Sequence, residues 1–64
     1  MNGSFNSDEF RRWQTQIEVC ESELERMSEW ESSFIVSISD QFTRTGKLSI
    51  KQEQILERIY QKVA

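Results

Sequence analysis

The sequence of 64 residues contains no proline, no histidine, one cysteine and two glycines. One cysteine cannot form an internal disulfide, and without histidine the chain lacks the ligands of a structural zinc site. A domain of about 60 residues buries only roughly 60% of the surface that its unfolded chain exposes, so we expect no enclosed pocket. Small domains without a disulfide or a metal often depend on a partner subunit. These absences favour self-association or binding to another protein.

Long apolar runs are also absent, since the longest is Phe34-Ile35-Val36. A membrane-spanning helix needs roughly 20 apolar residues, so we expect no membrane partner. Residues 1–6 have neither the basic end nor the apolar stretch of a secretion signal, and they predict a frayed tail. The net charge of -3 argues against nucleic-acid binding by a uniformly basic surface. A single thiol fits a reducing, cytoplasmic location.

The first half of the chain has the apolar spacing of a coiled coil. Apolar residues alternate at intervals of three and four, as at the a and d positions of a heptad. We call these residues the seam: Phe10, Trp13, Ile17, Cys20, Leu24 and Met27. Asn6 is the expected N-cap, and Glu9 completes its capping box. The pattern predicts a helix over residues 7–27.

Two interpretations of the following segment stay open. Glu31 stands at the next seam position, where an apolar residue is expected, but the register resumes at Phe34 and supports one helix over 7–44, bent near residue 28 or straight. Ser28 and Glu31 have the spacing of a capping box, which favours a second helix directly after Ser28. No glycine or proline interrupts the segment. We slightly prefer the continuous helix.

The second half of the chain predicts two further apolar helix faces. The first face precedes Gly46, the expected left-handed C-cap, and consists of Trp30, Phe34, Ile35, Ile38 and Phe42. The second belongs to a helix over 50–63, with Ser49 as N-cap and Gln52 completing its capping box. Its apolar residues are Ile55, Leu56, Ile59, Tyr60 and Val63. The chain is therefore predicted to form one all-α domain over 1–64, either three helices or a long helix folded back on a shorter one.

Charge divides the sequence into an acidic middle and a basic end. Residues 18–31 carry six glutamates against one arginine, whereas residues 41–64 carry five cations against two glutamates. The candidate partner-binding residues of the acidic stretch are Glu18, Glu21, Glu25 and Glu29. The candidate nucleic-acid contacts of the basic end are Lys47, Lys51, Arg58 and Lys62. Each set is also compatible with a solvated helix face.

Residues 27–63 contain a distinctive set of motifs. They are Trp30-Glu31, Leu48-Ser49, Lys51-Gln52 and Ile55-Leu56-Glu57-Arg58-Ile59-Tyr60. This pattern resembles a short helical module of small phage and mobile-element proteins, which also occurs at the ends of larger proteins of DNA metabolism. The resemblance implies a phage-like origin, and with it the cytoplasm of a host cell, more than it implies a mechanism.

Catalysis is not expected from this composition. Histidine, the usual base near neutral pH, is absent, and the carboxylates are expected on exposed helix faces. Cys20 is a seam residue and is expected to be buried and unreactive. We therefore predict no enzyme activity, no catalytic or metal-binding residue and no cofactor.

The sequence instead favours a binding function. Our first interpretation is a protein-binding module that inhibits or redirects a host protein, such as a nucleic-acid enzyme, with the acidic stretch imitating a row of phosphates. The alternative is a small DNA-binding accessory protein that uses the basic C-terminal helix. The seam predicts a homodimer, although it can equally pack against the rest of its own chain.

Overall fold

The computed structural model describes residues 7–64, and this range contains three α-helices, a short 3-10 turn and no strand. Helix α1 spans Ser7–Ser22, the 3-10 turn spans Leu24–Arg26, α2 spans Glu29–Thr45 and α3 spans Ile50–Val63. The predicted all-α class is confirmed. The expected frayed tail and the Asn6 cap lie outside the described residues.

The continuous helix over 7–44 is wrong, because α1 ends at Ser22 and the backbone at Ser28 is extended, with ψ 165°. The Ser28 hydroxyl accepts the N–H of Glu31 at 3.2 Å, and Glu31 Oε1 accepts the N–H of Ser28 at 2.9 Å. This capping box satisfies amide groups that a helix start leaves without partners. The break also takes Glu31 out of the seam, where its carboxylate would be buried at high cost.

The three helices form an up-down-up bundle. Helix α2 is antiparallel to α1, because Ser39 donates a hydrogen bond to Glu21 while Ser32 donates to the carbonyl of Leu24. All three helices and the turn before α3 contribute buried residues to one core: Trp13, Ile17, Cys20, Ile35, Ile38, Phe42, Leu48, Leu56, Ile59 and Val63. The core therefore depends on contacts among all three helices, since none of them can bury its apolar face alone.

The turn between α2 and α3 follows the sequence prediction. Gly46 has φ 71°, a left-handed conformation that suits glycine, and its N–H donates to the Phe42 carbonyl at 2.7 Å. The Ser49 hydroxyl accepts the N–H of Gln52 at 3.1 Å, and Gln52 Oε1 accepts the N–H of Ser49 at 2.8 Å. The C-cap and the second capping box are both confirmed.

Two aromatic residues assigned to apolar faces are exposed instead. Trp30 is 61% exposed, because in α2 it lies roughly 110° around the helix axis from the buried Ile35 and Ile38. Phe10 is 43% exposed and covers Phe42, with 4.8 Å between the ring centroids. The bundle therefore presents apolar rings to solvent at two places.

Candidate functional site

The seam faces the interior of its own bundle. Its buried members are Trp13, Ile17 and Cys20, and its half-buried members are Leu24 and Met27. A homodimer through these residues would require the core to open, so the structure favours the intrachain alternative. Homodimer formation stays a prediction. A mass of 7.7 kDa by light scattering at micromolar concentration would exclude it.

The four predicted acidic residues are all exposed, and we call them the acidic surface: Glu18, Glu21, Glu25 and Glu29. Two of them lie on α1, one in the 3-10 turn and one at the first residue of α2. The hydroxyl of Ser39 donates to Glu21 and so holds this carboxylate beside α2. The acidic surface therefore follows the chain from one helix around the turn into the next.

A groove between α1 and α2 adjoins the acidic surface. Phe10, Ile17 and Phe42 contribute apolar side chains to it, while Glu18 and Glu21 lie along its edge. The groove is open to solvent rather than enclosed, so it does not exclude water from a bound small molecule. Its combination of apolar rings and carboxylates suits an amphipathic macromolecular ligand that carries positive charge.

The basic candidates lie at the turn before α3 and along α3 itself. All four are exposed: Lys47, Lys51, Arg58 and Lys62. Lys62 Nζ donates to both carboxylate oxygens of Glu31, at 2.9 and 3.1 Å. Lys51 and Arg58 form no ion pair within the described part of the chain. Lys62 is thus partly neutralised, whereas those two side chains keep their charge available.

Two side-chain pairs fix the register of α2 against α3. Gln41 and Gln52 exchange two amide hydrogen bonds of 2.9 Å each, and Lys62 bonds to Glu31 near the other end. The residue numbers rise along one helix as they fall along the other, so the two helices are antiparallel. This pairing determines which side chains of α2 and α3 lie level with one another.

An aromatic pair lies beside the basic side of α3. Trp30 and Phe34 stack with 5.6 Å between ring centroids and 10° between ring planes. Phe34 also packs against the core, whereas most of Trp30 is exposed. One helical turn separates Arg58 from Lys62, so the register of the Glu31–Lys62 pair brings Arg58 level with Phe34. Aromatic and cationic side chains therefore share this side of the bundle.

Sequence reasoning missed this arrangement because it placed Trp30 on a core-facing stripe. The Ser28 capping box signalled a new helix, but it does not determine which residues of that helix face inward. In the structure Ile35 and Ile38 form the buried face of α2, and Trp30 lies outside it.

Within residues 7–64, two ionisable groups have shifted pKa values. The backbone N–H of Ser28, followed by the Lys62 ammonium, bonds to the Glu31 carboxylate and lowers its pKa. Burial, assisted by the negative charge of Glu21, raises the pKa of the Cys20 thiol to about 11. The thiol is therefore protonated at neutral pH, the form that is neither a nucleophile nor a metal ligand.

Residues 7–64 contain no group of three or more cysteine, aspartate and glutamate side chains able to hold a metal ion. Over the same residues, none of the helices has the length and apolar character needed to traverse a bilayer.

Comparisons of the chain with protein-family models, curated proteins and solved structures find no match. The resemblance to a phage helical module therefore stays a prediction. The function of the chain has to be argued from its own surfaces.

Proposed function

We propose that this chain is a non-catalytic protein-binding module that uses its acidic surface to inhibit or redirect a basic partner protein. The proposal rests on one observation, the four exposed glutamates that continue from α1 through the 3-10 turn into α2. Like-charged groups exposed on a protein surface attract a ligand of opposite charge and raise its rate of association.

The groove beside the acidic surface supplies apolar contact area. Phe10, with 43% of its surface exposed, lies at one side of this groove, and Glu18 and Glu21 line it. Charge pairs at a rim contribute little affinity by themselves, whereas aromatic anchors often contribute most of it. The partner is therefore expected to present lysine or arginine residues around an apolar side chain that fits the groove.

A nucleic-acid enzyme is the class of partner that best matches this chemistry. Its substrate channel is lined with cations that neutralise phosphates, and a set of carboxylates can compete for them. Glu18 and Glu21 are three residues apart on α1, which puts their Cβ atoms about 5–6 Å apart. With the phage-like origin that the resemblance implies, the module would act in the cytoplasm of a host cell.

The alternative of a duplex-binding accessory protein has weaker support. Proteins that bind duplex DNA tightly neutralise on the order of 6–10 phosphates. Lys47, Lys51 and Arg58 offer three cations, and the fourth candidate, Lys62, is paired with Glu31. Three free cations are too few to sustain tight duplex binding by electrostatic contacts alone.

The proposal is tested by capture of partners on the immobilised chain, with quantitative mass spectrometry of the bound proteins. The test variant is E18K/E25K, which leaves the Glu21–Ser39 hydrogen bond and the first turn of α2 untouched. The control D8K/E57K introduces the same change in net charge at exposed positions outside the acidic surface.

We expect a basic partner that the unmodified chain and the control retain and that E18K/E25K loses. Circular dichroism should be the same for all three proteins, since the substituted residues are exposed. Equal retention by E18K/E25K and the unmodified chain would reject the acidic surface as the binding site.

A further inference from the structure

We infer that the α2–α3 side of the bundle is a binding site for single-stranded nucleic acid. The site, which we call the α2–α3 surface, consists of Trp30, Phe34, Lys51, Ile55, Arg58 and Lys62. It is separate from the acidic surface and does not depend on the proposed protein-binding function. Trp30 stacks on a base in this site, while Lys51 and Arg58 contact phosphates.

The indole of Trp30 is exposed and is held in place by a neighbouring ring. Phe34 stacks on Trp30 with only 10° between the ring planes, and 61% of Trp30 is exposed. The ring is therefore supported on one face and open to solvent on the other. A flat aromatic ring held in this way is a stacking platform for a nucleobase, and every base has a π-face to place on it.

A row of cations lies along the same side of α3. Lys51, Arg58 and Lys62 project from α3 at intervals of seven and four residues, which places them on one side of the helix over roughly 17 Å. The Glu31–Lys62 pair joins this row of cations to the beginning of α2, next to Trp30. A backbone that follows the cations along α3 therefore reaches the indole at one end.

The acidic carboxylates of α3 do not oppose this row. Glu53 forms an ion pair with Arg12 of α1 at 3.7 Å, which directs it toward the α1–α3 side. Glu57 accepts a hydrogen bond from Gln61 and lies roughly 100° or more around the axis from Arg58 and Lys62. Glu31 offsets the charge of Lys62, so the α2–α3 surface keeps the positive charges of Lys51 and Arg58 although the whole chain has a charge of -3.

Glu18 and Glu21 of the acidic surface lie on α1, across α2 from this local charge, whereas Glu29 directly precedes Trp30 in the chain. Ser39 contacts Glu21 of α1, whereas Gln41, two residues later, contacts Gln52 of α3, so Glu21 and the α2–α3 surface lie on opposite sides of α2. An α-helix is about 10–12 Å thick, comparable with the Debye length of about 8–10 Å at physiological salt. Repulsion from Glu18 and Glu21 is therefore largely screened at the α2–α3 surface.

A single strand fits this surface better than a duplex or an acidic peptide. Bases in a duplex are already stacked and do not present a free face to Trp30, and two unpaired cations are few for duplex binding. An acidic peptide would use the cations but has no general requirement for a flat, exposed ring. A surface that combines an exposed aromatic ring with cations therefore favours unpaired nucleotides as its ligand.

The experiment is a fluorescence-anisotropy titration of a labelled 20-nucleotide oligo-dT at 50 and 200 mM salt. With about two phosphates neutralised on a single strand, the affinity should fall roughly 7-fold between the two salt concentrations. A 20-base-pair duplex and an oligoglutamate peptide are titrated in parallel as competing ligands.

Two variants separate the roles of the ring and of the cations. We expect W30A to weaken oligo-dT binding about 10-fold with the same salt dependence, because stacking is worth about 1–3 kcal/mol per base. W30F should recover part of that loss. R58E should weaken binding and also reduce the salt dependence, since it removes a phosphate contact.

Matched controls are available on α2 and α1. V36A changes another exposed apolar residue of α2, with 56% of its surface accessible, and R11E makes the same charge reversal as R58E on α1. Both should bind oligo-dT nearly as the unmodified chain does. The variant E18K/E25K should bind it at least as well, which distinguishes this site from the acidic surface.

Several results would overturn the inference. These are the absence of salt-sensitive oligo-dT binding at 50 mM salt, an affinity that W30A leaves unchanged, and duplex binding as tight as single-strand binding. Trp30-dependent binding of the oligoglutamate peptide at the same affinity would reassign the site to an acidic protein ligand.

Discussion

Lys62 Nζ lies 2.9 and 3.1 Å from the two carboxylate oxygens of Glu31, joining the last turn of α3 to the first turn of α2. The same carboxylate accepts the backbone N–H of Ser28 at 2.9 Å. One side chain therefore closes the N-terminus of α2 and attaches α3 to it. The register of the α2–α3 surface depends on this arrangement.

The Glu31 carboxylate predicts a pH dependence of stability. The Ser28 N–H and then Lys62 lower its pKa in the folded state, so its contribution is present above the pKa of the unfolded chain and is lost as the pH falls through the lower folded value. We expect E31Q to be less stable than the unmodified chain at pH 6 and the difference to shrink by pH 3.

Urea denaturation at several pH values measures this difference. K62M is the companion variant, and it should keep the larger part of the pH effect because the Ser28 N–H is the principal cause of the shift. Parallel stability curves for E31Q and the unmodified chain would contradict the assignment.

We expect removal of the Ser28 cap to lower the stability of the fold, whereas the same substitution at a nearby serine should not. Removing the hydroxyl in S28A leaves the Glu31 N–H without its side-chain partner and should cost about 1 kcal/mol of unfolding free energy. S33A, at an exposed position within α2, should change stability by less than about 0.5 kcal/mol. Equal effects in urea denaturation would show that the cap does not define the start of α2.

Adjacent residues of α2 give a matched test of the core. Ile35 is completely buried and Val36 is 56% exposed. I35A should cost about 2–5 kcal/mol, which approaches the roughly 3–5 kcal/mol that a core of this size supplies, so the variant should be largely unfolded. V36A should remain folded by circular dichroism. A folded, cooperative I35A protein would show that the helices pack differently.

We expect the Cys20 thiol to be protected from chemical reagents in the folded chain. The residue is completely buried, and burial followed by the charge of Glu21 raises its pKa to about 11. A disulfide reagent at pH 8 should therefore react slowly in buffer and rapidly in urea. The raised pKa also means that the thiol stabilises the fold below the pKa of the unfolded chain and ceases to do so as the pH approaches 11. Equal reaction rates with and without urea would place the thiol at the surface.

The sequence was sufficient for the parts of the fold that local chemistry determines. Gly46 and the Ser49–Gln52 capping box could be assigned because a left-handed residue and a box each need particular residue types at fixed positions. The apolar spacing of α3 likewise predicted its buried face. Such features depend on residues within one helical turn.

The break between α1 and α2 was harder to predict because two local signals conflicted. The heptad spacing continued through Phe34, whereas Ser28 and Glu31 marked a helix start. Burial decided between them: a continuous helix would leave the core without the side chain of Ile35, and the folded-back α2 supplies it. That comparison requires the positions of all three helices, which spacing alone does not provide.

The candidate surfaces were predictable to different degrees. The exposure of Glu18 and Glu25 could be predicted from their charge, since isolated carboxylates are rarely buried. The exposed stack of Trp30 on Phe34 could not be predicted, because it depends on the rotation of α2 about its axis relative to the core. The pairing of Lys62 with Glu31 joins residues 31 positions apart, and no local pattern predicts it.

We propose two independent binding surfaces on one small bundle. Its most direct test measures partner capture and oligo-dT affinity on the same two variants, E18K/E25K and R58E. We predict that E18K/E25K loses the captured protein but keeps the oligonucleotide, and that R58E shows the opposite pattern. Folded variants that lose both ligands together, or neither, would contradict the account.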